Sequence, residues 1–275
     1  EQDLAKLQMI KVAPKKFQYQ LMEDPGKFGF ALAEISQAVA IAYDIETATN
    51  PDIEGLTEED PTVAGDTFIT CASWTAIFPD MEMRTYVLPL VDFGIDHWRN
   101  DDDYKRALLF MRKANKLEIP KIMHNGMYDC THSIRYHAEP HQFVFDTMGM
   151  AHAAYSELPQ TLDFVASYLL YDYIFWKDDS EEASKKKDIT KYWGYNAKDT
   201  WYTARIAVEQ LRKSPAYAFK NYAEQFQTVY PALYSNFEGL KIDNAKRKVL
   251  RASSLKQLNA SRASLQVKLA DPNFN

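Results

Sequence analysis

Cysteine is nearly missing from this chain: Cys71 and Cys130 are the only two in 275 residues. Neither stands in a paired Cys/His spacing, which argues against a zinc site. They read as buried free thiols, Cys71 in a strand and Cys130 in a helix, as suits a reducing cytosol. Long apolar runs are missing too; nothing approaches the roughly 18 residues of a membrane span, so no membrane partner is expected. The first residues, Glu1-Gln-Asp-Leu4, are acidic and lead into no apolar core with a small-residue cleavage site, unlike a signal peptide. Net positive charge is absent: the formal charge is −6, which argues against an extended duplex-binding face over most of the chain. No internal repeat occurs, and Lys185-Lys-Lys187 is the one short biased run. What remains is the composition of a globular protein, 46% hydrophobic, with enough apolar residues for a sizeable core. The length allows one large domain or a domain with an appendage, at roughly 100–200 residues per domain.

Hydrophobic period and turn chemistry divide the chain into elements. Phe17 to Leu21 alternates as a short strand, and Asp24-Pro25 opens a helix running to about Gln37. Val39 to Asp44 is the first core strand, and Thr47 to Asp66, rich in Pro, Asp, Glu, Thr and Gly, is a long loop. Thr67 to Phe78 and Met83 to Leu90 form a hairpin about Pro79-Asp80. Asp101 to Leu117 is a helix with three aspartates where its dipole favours them. Then come a strand at Lys121 to His124, a helix from Gly126 to His137, and a strand at Phe143 to Phe145. Asp146-Thr147 caps a further helix, and Thr161 to Leu170 is helical. Lys177 to Asp188 reads as a charged loop ahead of a long helix. Two more helices, Ala216 to Phe237 and Asn244 to Leu269, flank a junction at Glu238-Gly-Leu-Lys-Ile-Asp243. An early hairpin with helix-linked strands after it predicts an α/β fold, a mixed sheet flanked by helices.

Against that background the informative residues are four carboxylates and a tyrosine. Asp44 and Glu46 are two apart on a strand and leave it on one face. Asn125 with Asp129, and Tyr195 with Asp199, are four apart and share a helix face. Converging carboxylates repel unless cations neutralise them, and hard oxygen donors suit Mg²⁺ or Mn²⁺. The set reads as a two-metal site for phosphoryl transfer.

Asp-x-Glu on a strand, then Asn-x-x-x-Asp, then Tyr-x-x-x-Asp resembles, in that order, the three motifs of the DEDD 3′–5′ exonucleases. The tyrosine points to the subgroup with the proofreading domains of family A DNA polymerases, the DNA polymerase I type; RNase D-like exonucleases share it. Each motif alone is common, and the ordered set, spanning about 150 residues, is specific. The resemblance implies an RNase H-like fold over residues 1–213 and a helical extension over 214–275 resembling the start of a polymerase thumb, with Phe274-Asn275 like the beginning of a further motif. It implies a proofreading exonuclease that takes single-stranded DNA 3′ ends and works beside the polymerase domain of its parent chain. Polymerisation is not expected from this piece. The implied location is the cytoplasm of a bacterial or phage-infected cell. The alternatives are an RNase D-like RNA exonuclease and a single-strand-binding module without catalysis.

By the same resemblance Asp44 would bridge both ions. Glu46 and Asp199 would complete the site nearest the attacking water, and Asp129 would hold the second ion through water. Tyr195, with a reference pKa of about 10, would orient the water rather than take its proton. Asn125 can cap the helix that presents Asp129 or touch substrate, and capping is favoured. Phe175 and Trp176 resemble a place where the family meets the terminal nucleotide. Lys177 and Lys185 to Lys187 can meet phosphates or be solvated. His124 reads as a strand-end residue and Asp146 as a helix cap. From Lys241 onward, Lys241, Lys246, Arg247, Lys248, Arg251, Lys256, Arg262 and Lys268 outnumber Asp243 and Asp271, so a nucleic-acid backbone would be gripped here before elsewhere, unless this is a solvated helix face.

Overall fold

The structure, a computed structural model, describes residues 17–49, 67–92, 95–179, 183, 186, 188–239, 241 and 243–269. The N-terminal segment, residues 50–66 of the loop expected from Thr47 to Asp66, Lys185, Lys187 and Phe274-Asn275 lie outside the described residues; residues 47–49 of that expected loop belong to a strand instead.

β1 (Tyr19–Leu21) is followed by a 3₁₀ turn at Pro25–Lys27, where the Asp24 carboxylate accepts from the Gly26 N–H at 2.9 Å, and by α1 (Phe28–Ile35). β2 (Ala40–Thr49), β3 (Thr67–Ile77) and β4 (Met83–Pro89) form an antiparallel meander. β7 (Lys121–Met123) and β8 (Phe143–Asp146) extend it in parallel beyond β2, and β1 lies parallel to β4. The sheet order is β1-β4-β3-β2-β7-β8, the mixed sheet expected. A ribbon of β5 (Val91–Asp92) and β6 (Ile95–Asp96) stands apart; strands of two residues are too short to show a period.

The alternation of β2 sorts its side chains between two layers. Ile41, Tyr43 and Ile45 join Trp74, Phe28, Phe110 and Met111 in a core beneath α1 and α2 (Asp101–Asn115). Ala42 faces the other way, against Ala204 and Ala207 of the long helix α6 (Ile189–Lys213). α3 (Gly126–Arg135), α4 (Thr147–Ala154) and α5 (Leu162–Leu169) lie between β7 and α6 in the chain. Both cysteines are buried free thiols, as expected.

Two expectations are corrected. The single helix over Ala216 to Phe237 is two helices, α7 (Ala216–Phe226) and α8 (Val229–Glu238). Pro231 has no N–H for a continuous helix; the break moves it into a first turn, where none is required. The break also lets Tyr222 accept from the Asp146 N–H and Tyr230 donate to the Phe143 carbonyl, at 2.7 and 2.8 Å. The charged loop at Lys177 to Asp188 is helical at its described positions Asp178, Asp179, Ala183 and Lys186, and Ala183 is fully buried.

The chain divides into two compact units, the first ending at Leu233 and the second beginning at Tyr234. The second holds the end of α8, Gly239 with φ of +70°, and α9 (Asn244–Leu269), which buries none of its residues. Among the described residues no helix is long and apolar enough to cross a membrane.

Candidate metal centre

The register of β2 against β3 slips between Glu46 and Thr47, leaving Thr70 unpaired opposite. Such bulges re-aim side chains and recur beside active sites. Here the Thr70 hydroxyl donates to the Glu46 carbonyl at 3.0 Å and shares a hydrogen bond with the Tyr192 hydroxyl. Asp44 and Glu46, just ahead of the slip, point to the α6 side. α6 crosses this face on a polar track: Ser73 donates to the Asn196 carbonyl at 3.0 Å, and Thr75 to the Thr200 hydroxyl at 3.1 Å. The crossing brings carboxylate oxygens of Asp44, Glu46 and Asp199 within 4.8 Å of one another. Asn196 donates to Asp44 Oδ2 at 2.7 Å. Tyr195 is one helical turn from Asp199 on the same face.

Asp129 is not part of that triangle. It is buried in the first turns of α3, and its Oδ1 accepts from the Ile45 N–H at 3.0 Å, directly between Asp44 and Glu46. α3 can approach this closely because its first residue is glycine. A Cβ on Gly126 would stand 2.6 Å from Met123 Cβ and 2.7 Å from Phe143 Cζ.

The favoured capping role of Asn125 is overturned. Asn125 takes the N-cap position of α3 in a left-handed conformation (φ of +62°), but its side chain makes no capping bond. The Asp146 carboxylate holds the start of α3 from β8 instead, accepting from the N–H groups of Asn125 and Gly126 at 3.1 and 2.9 Å. The same carboxylate caps α4 through Met148 and Gly149, the capping expected of it. Relieved of that task, the Asn125 side chain is exposed. His124 is held by Thr147 Oγ1 at 2.8 Å, and burial pushes its pKa down to about 3, so it is a neutral structural residue.

The residues before α6 behave differently from expectation. Phe175 is 51% exposed, but Trp176 is 2% exposed and stacks on Tyr202 with ring centroids 3.9 Å apart. A ring covered in this way has no face for a base, so Trp176 is withdrawn as a stacking platform; its Nε1 donates to Asp199 Oδ1 instead. Lys177 is half-buried and paired rather than free in solvent. Its Nζ donates to Asp199 Oδ2 at 2.8 Å and to the Tyr195 hydroxyl at 2.9 Å. Asn196 was also legible only in part. It is adjacent to Tyr195 and three residues before Asp199, a helix-face position, but nothing local names Asp44 as its partner.

The cluster strains against its own charge. Burial, then repulsion from Asp199, pushes Glu46 up to about 8; burial raises Asp129 to about 8 against the pull of the Ile45 N–H. Asp44 is raised well above the carboxylate range by burial and by its three acidic neighbours, and Asp199 is raised by burial despite Lys177. The Tyr195 hydroxyl is pushed upward by burial and by Asp199, Glu46 and Asp44, so it stays protonated. Carboxylate oxygens that repel one another, those of Asp44 and Glu46 half-buried and that of Asp199 buried, with an ammonium drawn onto one of them, fit a divalent cation with hard oxygen preference.

A pH dependence follows for the metal-free protein. Between the reference values of 4.5 for Glu46 and 3.8 for Asp129 and the folded values of about 8, the folded state binds protons that the unfolded state has released. Stability therefore falls as pH rises through this window, and a cation that binds the ionised carboxylates stabilises more at its upper end. Thermal melts in EDTA are expected to drop from about pH 5 to about pH 8, with the gap to Mg²⁺-loaded samples widening. A metal-free melting temperature that climbs over this range would show that these carboxylates are ionised throughout.

The fold has relatives among solved structures. RNase D from Trypanosoma brucei superposes with a TM-score of 0.55 at 14% identity, over 78% of this chain and 72% of that one. Escherichia coli RNase D, an exoribonuclease involved in structured RNA processing, gives 0.53 at 16%, over 86% and 55%. The POL domain of Pol1 from M. smegmatis, solved with a DNA primer-template and dNTP, gives 0.57 at 12%, over 91% and 37%. No family model matches the sequence, and no curated protein matches it. The likeness is one of fold: an RNase H-like mixed sheet between helices, shared with the RNase D exonucleases. The chain spans little more than half of the E. coli enzyme and about a third of the mycobacterial chain.

Proposed function

We propose that this chain is a metal-dependent 3′–5′ exonuclease that removes nucleotides from single-stranded DNA 3′ ends, as the proofreading part of a family A DNA polymerase. The observation that carries the reading is the convergence of Asp44 and Glu46 from β2 with Asp199 from α6, with Asp129 tied to the strand between them. Two divalent ions, Mg²⁺ or Mn²⁺, would be held by Asp44, Glu46, Asp129 and Asp199. When bound, they supply charge neutralisation at the scissile phosphate and activation of water. The chain's own groups position the reactants. Asn196 orients Asp44, and the protonated Tyr195 hydroxyl offers a hydrogen bond to the incoming water. Phe175, exposed and one residue from the ring that holds Asp199, would stack on the terminal base, and exposed Asn125 would touch substrate.

The polymerase setting rests on the C-terminal part, read as the start of a polymerase thumb. The nuclease part is taken as 1–213 and the polymerase-like part as 214–275, with α7 packed back on the nuclease sheet through Tyr222. α9 carries Lys246, Arg247, Lys248, Arg251, Lys256, Arg262 and Lys268 and no acidic residue, a surface complementary to a phosphate backbone. The second reading, an RNA 3′ exonuclease, is favoured by the RNase D likenesses.

The deciding experiment is digestion of 5′-labelled DNA and RNA oligonucleotides of one sequence, with Mg²⁺ and with EDTA. A ladder shortening from the 3′ end of DNA, lost in EDTA, is expected. Preference for RNA selects the RNase D reading. Binding without any ladder, with Mn²⁺ also tried, selects a non-catalytic module.

A further inference from the structure

Resting on the metal centre proposed above, the structure assigns a second task to Lys177. We propose that its ammonium is a built-in counter-ion, a positioning residue that holds Asp199 and Tyr195 in place until a divalent cation displaces it from Asp199.

The contact is built rather than incidental, because the segment bearing Lys177 is pinned along α6 on both sides. The Tyr202 hydroxyl donates to the Ile174 carbonyl and accepts from the Ile174 N–H, both at 3.2 Å. Trp176 stacks on the same tyrosine and donates to Asp199. Beyond Lys177, Asp179 pairs with Lys198 at 2.6 Å and Lys191 at 3.2 Å. Between these anchors Lys177 Nζ stands 2.8 Å from Asp199 Oδ2 and 2.9 Å from the Tyr195 hydroxyl, and 4.8 Å from the centre of the Tyr195 ring.

Asp199 thus has one oxygen engaged by Trp176 and the other by Lys177. A magnesium ion sits about 2.0–2.1 Å from its oxygen ligands. An ammonium and a doubly charged cation on one carboxylate oxygen repel strongly at such separations. Lys177 must therefore leave Asp199 when a cation binds there, while its bond to Tyr195 carries no such conflict. The lysine lowers the repulsion among the carboxylates in the metal-free protein and competes with metal for the same oxygen.

The test measures metal binding directly, on the full chain. Mn²⁺ titrated into metal-free protein and followed by electron paramagnetic resonance is expected to bind Lys177→Met at least about tenfold more tightly than the parent, with Lys177→Arg close to the parent. Lys177→Met should melt lower without metal and gain more on adding it. A role confined to structure predicts the reverse, weaker binding from a loosened site. Unchanged or weaker Mn²⁺ binding by Lys177→Met overturns the proposal. Should the parent bind no Mn²⁺, the metal centre itself falls, and the lysine's role with it. A second measurement needs no altered active protein: with lysines labelled at Cε, the Lys177 resonance, assigned by its loss in Lys177→Arg, is expected to shift when Mg²⁺ is added. A resonance that stays in place under saturating Mg²⁺ also overturns displacement.

Discussion

Asp44→Asn is expected to cut 3′-end shortening by at least about a thousandfold while leaving a folded protein that is more heat-stable without metal than the parent. The two halves have one cause. Asp44 is surrounded by Asp129, Asp199 and Glu46, so its charge is costly unless a cation shares it. An amide of the same shape removes that repulsion and can still accept from Asn196, which donates to Oδ2 at 2.7 Å in the parent. It cannot offer a negative oxygen to a cation. Activity measured on labelled DNA, with melts in EDTA and in Mg²⁺, checks both halves. Near-parental cleavage would remove Asp44 from the metal centre. A large fall in the metal-free melting temperature would make its role structural.

Asp146→Ala has the largest expected effect on stability. One buried carboxylate accepts four backbone N–H groups, from Asn125, Gly126, Met148 and Gly149, at 2.9 to 3.2 Å. It thereby starts two helices at once, α3 and α4. Each N–H left without an acceptor in this buried setting costs up to about 1–3 kcal/mol, and losing the one group that serves four of them costs about 3–5 kcal/mol in all. For a chain of this size that lowers the melting temperature by roughly 10 °C. Activity should fall as well, because freeing Asn125 and Gly126 lets α3 shift and carries Asp129 from the Ile45 N–H. Asp146→Asn keeps one acceptor oxygen and should fall between the two. Calorimetry of the three proteins is the check; an alanine variant within about 1 kcal/mol of the parent would mean that water replaces the carboxylate.

Much of the local structure was readable because it is set by neighbours along the chain. Asp24 ahead of Pro25, Asp146 ahead of Thr147 and the Pro79-Asp80 turn each announce an element by chemistry acting over two or three residues. The break before α8 was missed, although Pro231, a residue a long helix interior does not tolerate, carries its local signal. Asn125 misled because residue type suggests a side-chain cap, while the carboxylate that meets the start of α3 comes from Asp146, 21 residues away, and takes the Asn125 backbone N–H. Trp176 misled similarly. Aromatic identity suits base stacking, but Tyr202 and Asp199 had already taken its face and its N–H.

The sequence by itself determined the carboxylates in their local pairs, because side-chain direction repeats every two residues on a strand and about every 3.6 on a helix. It determined the order of the elements and the class of sheet they build. The tertiary structure alone decided which pairs meet. Asn196 reaches Asp44 across 152 positions, Asp129 reaches Ile45 across 84, and Lys177 reaches Asp199 from a segment with no regular period. Local spacing fixes only the direction in which a side chain leaves its backbone. Where two such directions intersect is set by the packing of α6 on the sheet, and so by the whole core at once.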